Sequence, residues 1–183
     1  LIRVVKAKTY DLRPSDYFVE MPNASSELTI RDATPDDLAT IDRMIHGLAE
    51  YERLADECYS TEEKLRRTLF GQPRYAECVI ARLGNEPVGF ALFFHNYSTF
   101  EARPGLYLED LFVLPEHRGH GVGRALLRHL AQIAVARDCA RFEWAVLDWN
   151  EPAIGFYKSL GARPMSDWTV MRVAGEALAA LAR

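Results

Sequence analysis

Between an apolar run at residues 106–114 and an amphipathic run at residues 122–136 lies Arg118-Gly119-His120-Gly121-Val122-Gly123-Arg124. Glycines at alternate positions open backbone torsions closed to other residues and let the main chain approach a ligand closely. The helix that follows begins with N–H groups that lack intrahelical acceptors, so a phosphate or pyrophosphate is the natural guest. The dinucleotide fingerprint G-x-G-x-x-G is not met, because Arg124 occupies the third glycine's place and no acid follows about 20 residues on. The Gly-Lys-Ser/Thr of the nucleotide-hydrolase phosphate loop is also absent, since Lys158-Ser159 follows Tyr157. A glycine turn that merely lets the helix pack is the remaining plain alternative, although three glycines beside an arginine exceed what packing requires.

The 183 residues fit roughly one domain on the prior of about 150 residues each. With 49% hydrophobic and 26% charged residues, the chain has the balance of a globular protein, which excludes intrinsic disorder. A net charge of -4 argues against a nucleic-acid partner or an anionic membrane surface. No apolar run approaches the ~18 residues of a transmembrane helix. Cys58, Cys78 and Cys139 form no C-x-x-C pair and have no histidine at zinc-ligand spacing, so no metal site is expected. They read as reduced thiols of a cytoplasmic protein.

Residues 1–27 read as an N-terminal extension of no assignable role, with Met21 and Pro22-Asn23-Ala24-Ser25-Ser26 as a loose lead-in. Residues 28–183 then read as a single domain. Residues 28–31 form a short strand, and Thr34-Pro35-Asp36-Asp37 opens a helix whose inner face is Leu38, Ile41, Ile45 and Leu48. Ser60-Thr61-Glu62-Glu63 caps a second helix running to about Phe70. Residues 76–83 and 87–94 form a hairpin around Gly84-Asn85-Glu86. Residues 106–114 are a strand, residues 122–136 a helix, and residues 142–147 a strand. Asn150 caps a helix ended by Gly161, residues 168–173 close the sheet, and a short Ala-rich helix follows. The fold class is α/β, with a sheet of mixed strand direction flanked by helices.

Arg118-x-x-Gly121-x-Gly123 is the pyrophosphate signature of the GCN5-related N-acetyltransferases. Around it, residues 106–113 (Leu-Tyr-Leu-Glu-Asp-Leu-Phe-Val) and residues 149–158 (Trp-Asn-Glu-Pro-Ala-Ile-Gly-Phe-Tyr-Lys) closely resemble the spermidine/spermine and thialysine acetyltransferase group. The resemblance runs from about Leu28 to Gly161. It implies a mostly antiparallel central sheet, acetyl-CoA as co-substrate, and direct attack by a primary amine of a polyamine, diamine or thialysine-like acceptor. It also implies a homodimer. Acetylation of a protein lysine or N-terminus, and a non-catalytic acyl-CoA-binding module, are the alternatives.

Acetyl transfer requires an amine that loses its proton, a polarised thioester carbonyl, and a hydrogen-bond donor for the departing sulfur. Tyr157 is the candidate donor: it lies about two helical turns after Asn150, and a phenol is protonated at neutral pH. The resembled group gives its tyrosine that role; a half-buried tyrosine bonded to a backbone carbonyl is the alternative. Glu109 is the candidate for binding or deprotonating the amine, as in the resembled group. Strict alternation places it with Tyr107, Leu111 and Val113, opposite Leu108, Asp110 and Phe112. A structural ion pair is the other reading of Glu109, and the favoured one for Asp110.

By resemblance, Leu111, Phe112 and Val113 offer main-chain groups to the pantetheine arm and thioester oxygen. Arg118, Gly119, His120, Gly121, Val122, Gly123 and Arg124 cradle the pyrophosphate, with Asn150, Pro152 and Ala153 reaching the co-substrate from the other side. Because those roles belong to the main chain, side-chain changes at Phe112 or Val122 should be tolerated better than a bulky residue at Gly121. His117 and His120 read as solvated. Tyr51 and Glu52 stand where the resembled enzymes touch the acceptor, with a merely solvated charge run as the alternative. Trp144 and Trp149 line an acceptor channel or belong to a core. Asp167 is the one acid in residues 161–168, a segment shorter than its polyamine-acetylating counterpart; that weakens the case for a long polyamine and leaves room for a diamine or an amino acid such as thialysine.

Overall fold

The computed structural model describes residues 27–183. The expected extension therefore lies outside the described residues, apart from Glu27. The described chain divides into two compact units, one ending at Glu143 and the other comprising Trp144–Arg183.

In the first unit, β1 (Leu28–Asp32), β2 (Glu77–Leu83), β3 (Glu86–Ser98) and β4 (Arg103–Val113) pair antiparallel in chain order. β5 (Phe142–Trp144) completes a five-stranded sheet in the order β1-β2-β3-β4-β5. Its approach is held by bonds from Leu106 N to Arg141 O (3.0 Å) and from Ala140 N to Pro104 O (2.7 Å). The β3–β4 hairpin is longer than its apolar residues suggest. The ladder runs on through His95, Asn96 and Tyr97 to Ser98 because backbone pairing continues after one face has turned polar.

A 3-10 turn (Pro35–Asp37) leads into α1 (Leu38–Glu52). Asp37 fixes that entry: it is buried, accepts from Thr34 N at 2.8 Å, and takes two bonds from Arg31 at 2.7 Å each. The guanidinium beside it holds its carboxyl at about 2. The buried stripe of α1 is Leu38, Ile41 and Met44; Ile45 and Leu48 are only half-buried, so the stripe is rotated toward Met44. Thr61 caps α2 (Glu62–Leu69) by accepting from Lys64 N, while Ser60 instead donates to Asp42 Oδ1 at 2.7 Å.

Cys78, Ile80, Phe90, Leu92 and Phe112 from the sheet form one core with Leu38, Ile41, Met44, Leu65 and Leu69 of α1 and α2. A Cβ on Gly47 would stand 3.1 Å from Phe112 Cζ, which is how closely α1 approaches β4. α3 (Val122–Ala136) covers the other sheet face with Leu126, whose Cδ1 would lie 3.4 Å from a Cβ on Gly89. The α/β class and helix-flanked sheet thus stand as the sequence indicates.

The second unit carries α4 (Glu151–Ser159) and α5 (Gly175–Leu181). Two sequence expectations change here. The strand at residues 142–147 is confined to Phe142–Trp144. Residues 168–173 form no strand: Trp168, Val170 and Met171 are exposed, and β-favouring side chains make a ladder only where a neighbouring edge supplies donors and acceptors.

Candidate active site

The glycine turn takes the backbone form that its spacing predicts. Gly119 and Gly121 take φ of +78° and +85°, in the left-handed region, and Gly121 stands at the N-cap of α3. No acid occupies the first helical turn, so the N–H groups of Val122, Gly123 and Arg124 open onto a surface without nearby negative charge on the helix itself. Exposed Gly119, His120 and Gly121 form the rim. An anion such as pyrophosphate fits this arrangement, since nothing lies within 4 Å of where a Cβ on either glycine would stand.

Arg118 does not project freely into the cradle. Its Nε donates to Val113 O at 2.9 Å, and its guanidinium lies 4.6 Å from the Tyr51 ring centroid and 5.4 Å from that of Phe112. The end of β4, the glycine loop and the C-terminus of α1 are therefore tied together by one side chain. Phe112 is 5% and Val122 2% exposed, both packed into the core. The expected tolerance at these two positions is thus overturned for stability: truncating either leaves a cavity, whereas space at Gly121 is open and only its backbone torsion resists a side chain. His120 is exposed as expected, while His117 is half-buried with Nε2 3.6 Å from Glu86 Oε1.

β4 departs from strict alternation at the point that matters most. Phe93 pairs with Leu108 and Leu92 with Asp110, so Glu109 is the extra residue of a β-bulge. Residues directly opposed across antiparallel strands share a face. Asp110 therefore joins Cys78, Leu92, Phe90 and Phe112 on the face of α1 and α2, together with Tyr107, whose ring is 5.2 Å from Phe94. Leu108 lies on the opposite face with Leu111 and Val113. The expected grouping of Leu108 with Asp110 and Phe112 fails because the bulge inserts one residue into the count.

Glu109 is exposed. Asp110 is half-buried, and among the described residues it has no ion pair, against the structural pairing expected of it. Burial first, then the charges of Glu109 and Glu52, push its carboxyl up to about 6. Glu52, the last residue of α1, is half-buried and its carboxyl is likewise raised by burial. Tyr51 and Glu52 thus end their helix beside β4, with Arg53 closing it at φ 62°. On the same sheet, Arg74, Tyr75, Ala76, Glu77, Phe94 and His95 line an open cleft of about 470 Å³. Sequence reading missed this cleft, because Arg74 and Tyr75 lie between elements and carry no motif.

Within the second unit, Asn150 is buried and its Oδ1 accepts from Ala153 N at 3.3 Å, capping α4 as expected. Pro152 and Ala153 occupy the first turn of that helix. Tyr157 is half-buried, with its ring 5.0 Å from that of Trp144, so the structure brings those two together. Trp149 is 47% exposed, which excludes it from a core. Asp167 is exposed and makes no ion pair among the described residues.

The family model described as the acetyltransferase (GNAT) family matches residues 42–162. A thialysine N-epsilon-acetyltransferase of Sus scrofa is 39% identical over 168 residues, covering 86% of this chain and 98% of the relative. The L-ornithine N5-acetyltransferase NATA1 of Arabidopsis thaliana is 32% identical, covering 83% and 86%. An integron cassette protein from the mobile metagenome of V. cholerae superposes with a TM-score of 0.74 at 26% identity, covering 85% of this chain and 98% of its own.

Proposed function

The chain belongs to the acetyltransferase (GNAT) family and is an N-acetyltransferase acting on an amine, and from that premise we propose that its acceptor is an amino acid bearing a side-chain amine, of the thialysine or ornithine kind. The family uses acetyl-CoA as co-substrate, and the observation that carries the reading here is the acid-free N-terminus of α3 behind Gly119 and Gly121. Bound there, acetyl-CoA supplies an activated acyl carbon whose carbonyl takes up charge during attack.

Main-chain N–H groups of residues 119–124 hold the diphosphate, and those of Leu111, Phe112 and Val113 line the pantetheine and thioester. In the second unit, Asn150, Pro152 and Ala153 are further co-substrate contacts. Tyr51, Glu52 and Glu109 attract the acceptor's ammonium, with Trp144 and Asp167 as further acceptor contacts. The neutral amine nitrogen bonds to the acyl carbon, the carbon–sulfur bond breaks, the Tyr157 hydroxyl protonates the departing thiolate, and the proton that the nitrogen sheds on becoming an amide passes to solvent, from which the phenolate is reprotonated. Arg74 supports an amino-acid acceptor over a polyamine. Its Nε donates to Ala76 O at 3.1 Å, and its charge acts on Glu77 in the same cleft without an ion pair between them, so guanidinium N–H groups remain for a substrate carboxylate.

A homodimer fits the exposed apolar side chains of Trp168, Val170, Met171 and Val173, which a second copy would cover. A cytoplasmic setting fits the three free cysteines. None of the described helices is long and apolar enough to cross a membrane. Product analysis tests the acceptor reading: incubation with acetyl-CoA and thialysine should yield a product acetylated on the side-chain amine. Acetylation of the α-amine, or of a lysine peptide alone, contradicts it.

A further inference from the structure

We propose that the cleft beside the start of β2 holds the α-ammonium and the α-carboxylate of the acceptor together, so that it recognises the head group of a free α-amino acid. The inference rests on the reading that the acceptor is an amino acid with a side-chain amine. It adds the α-ammonium, Glu77 and the main chain of His95 to that reading.

The pairing of β3 leaves main-chain groups open at this cleft. β2 accompanies β3 only as far as Glu77 opposite Phe93, whereas β4 accompanies it to Ser98. Leu106, opposite His95, turns its N–H away to Arg141 O at 3.0 Å, on the side of β5. Residues of an antiparallel pair that exchange no bonds with each other turn their N–H and C=O groups outward. The N–H and C=O of His95 therefore face the β2 side of β3, beyond the end of β2. Neither has a main-chain partner among the described residues. The same alternation holds at Tyr97, because Pro104 opposite it accepts from Ala140 N at 2.7 Å on the β5 side.

That open side is the cleft of about 470 Å³, and its donors and acceptors match a zwitterion. Arg74 keeps guanidinium N–H groups besides the one bonded to Ala76 O, and with the His95 N–H they suit a carboxylate. Glu77 and the His95 C=O suit an ammonium. Arg137 bonds to both Glu77 oxygens, with Nη2 2.8 Å from Oε2, yet each carboxylate oxygen accepts more than one bond. The same guanidinium holds the Glu77 carboxyl below its ordinary range, so it stays charged. Tyr75 and Phe94 wall the cleft, and a thioether sulfur or methylenes pack well against such rings. From Cα to the terminal nitrogen, ornithine or thialysine spans roughly 5–7 Å, more than one strand spacing of about 4.8 Å. Laid along Phe94, whose ring is 5.2 Å from that of Tyr107, the side chain crosses β3 toward β4. A polyamine leaves Arg74 without its carboxylate, and a lysine inside a protein carries neither α-charge.

The test removes one charge of the head group at a time. Initial rates of the full chain are measured on L-ornithine, on putrescine, which lacks the carboxylate, and on 5-aminopentanoate, which lacks the α-ammonium. Each deletion should lower kcat/KM about three- to tenfold, the range of an exposed charge-assisted contact. Arg74→Ala should close the gap to putrescine and keep the gap to 5-aminopentanoate; Glu77→Gln should do the reverse. Each variant is compared with itself across the three amines, so a partial loss of folded protein leaves these ratios unchanged. L-Norvaline, which has the head group and no side-chain amine, should inhibit competitively against L-ornithine, and calorimetry should show its binding weakened by Arg74→Ala. Equal kcat/KM on L-ornithine and 5-aminopentanoate, gaps that survive both substitutions, or no binding of L-norvaline overturns the head-group site. Turnover confined to polyamines or a lysine peptide, with L-norvaline still bound through Arg74, overturns the acceptor reading instead and leaves the cleft an amino-acid site.

Discussion

Arg118 stacks its guanidinium 4.6 Å from the Tyr51 ring while its Nε holds the Val113 carbonyl. One side chain thus joins the glycine loop to the end of α1, where Tyr51 and Glu52 stand, so a change at Tyr51 reaches that loop. Tyr51→Ala removes a cation–π contact of about 0.5–1 kcal/mol. It should weaken acetyl-CoA binding about two- to fivefold as well as raising KM for the amine, measured by calorimetric titration and initial rates.

Tyr157 is packed against Trp144 at 5.0 Å, which fixes the ring and leaves the hydroxyl as the removable group. Tyr157→Phe should lower kcat by about 10²-fold with acetyl-CoA affinity unchanged. Stopped-flow binding alongside steady-state turnover separates the two effects.

The glycine loop, the Asn150 cap and the helix-flanked sheet were legible because each rests on local backbone chemistry that residue type dictates. The faces of β4 were not. Alternation assigns Leu108 and Asp110 to one side, and a single bulged residue, which leaves no mark in composition, parts them. Arg118 reads as an anion ligand by motif, yet its neighbours Val113 and Tyr51 come together only when α1 docks on β4. Residues 168–173 look like a strand because their side chains favour one, but pairing depends on an edge that sequence does not specify.

The Arg31–Asp37 pair makes stability pH-dependent at the entry to α1. Asp37 is held at about 2 in the folded chain against an ordinary 3.8, so its contribution is complete above about pH 4 and is lost as pH falls through about 2. Arg31 is partly solvent-facing, so the contribution is about 1–2 kcal/mol after discounting for screening. Asp37→Asn should cost that amount at pH 7, and chemical melts should show its gap from wild type closing between pH 4 and 2.

Arg74 separates acceptor classes. Arg74→Ala should raise KM for thialysine and L-ornithine about three- to tenfold, the range of an exposed arginine–carboxylate contact, and leave KM for putrescine unchanged. Parallel initial-rate measurements on the three amines check this.

The central claim is that a family acetyl-transfer site has been set for a side-chain amine of an amino acid. It is tested most directly by steady-state thiol release from acetyl-CoA against thialysine, L-ornithine, L-lysine, putrescine, spermidine, spermine and a lysine peptide at one pH. The highest kcat/KM should fall on thialysine or L-ornithine, at least about tenfold above spermidine and spermine. Higher kcat/KM on the polyamines or the peptide would contradict it.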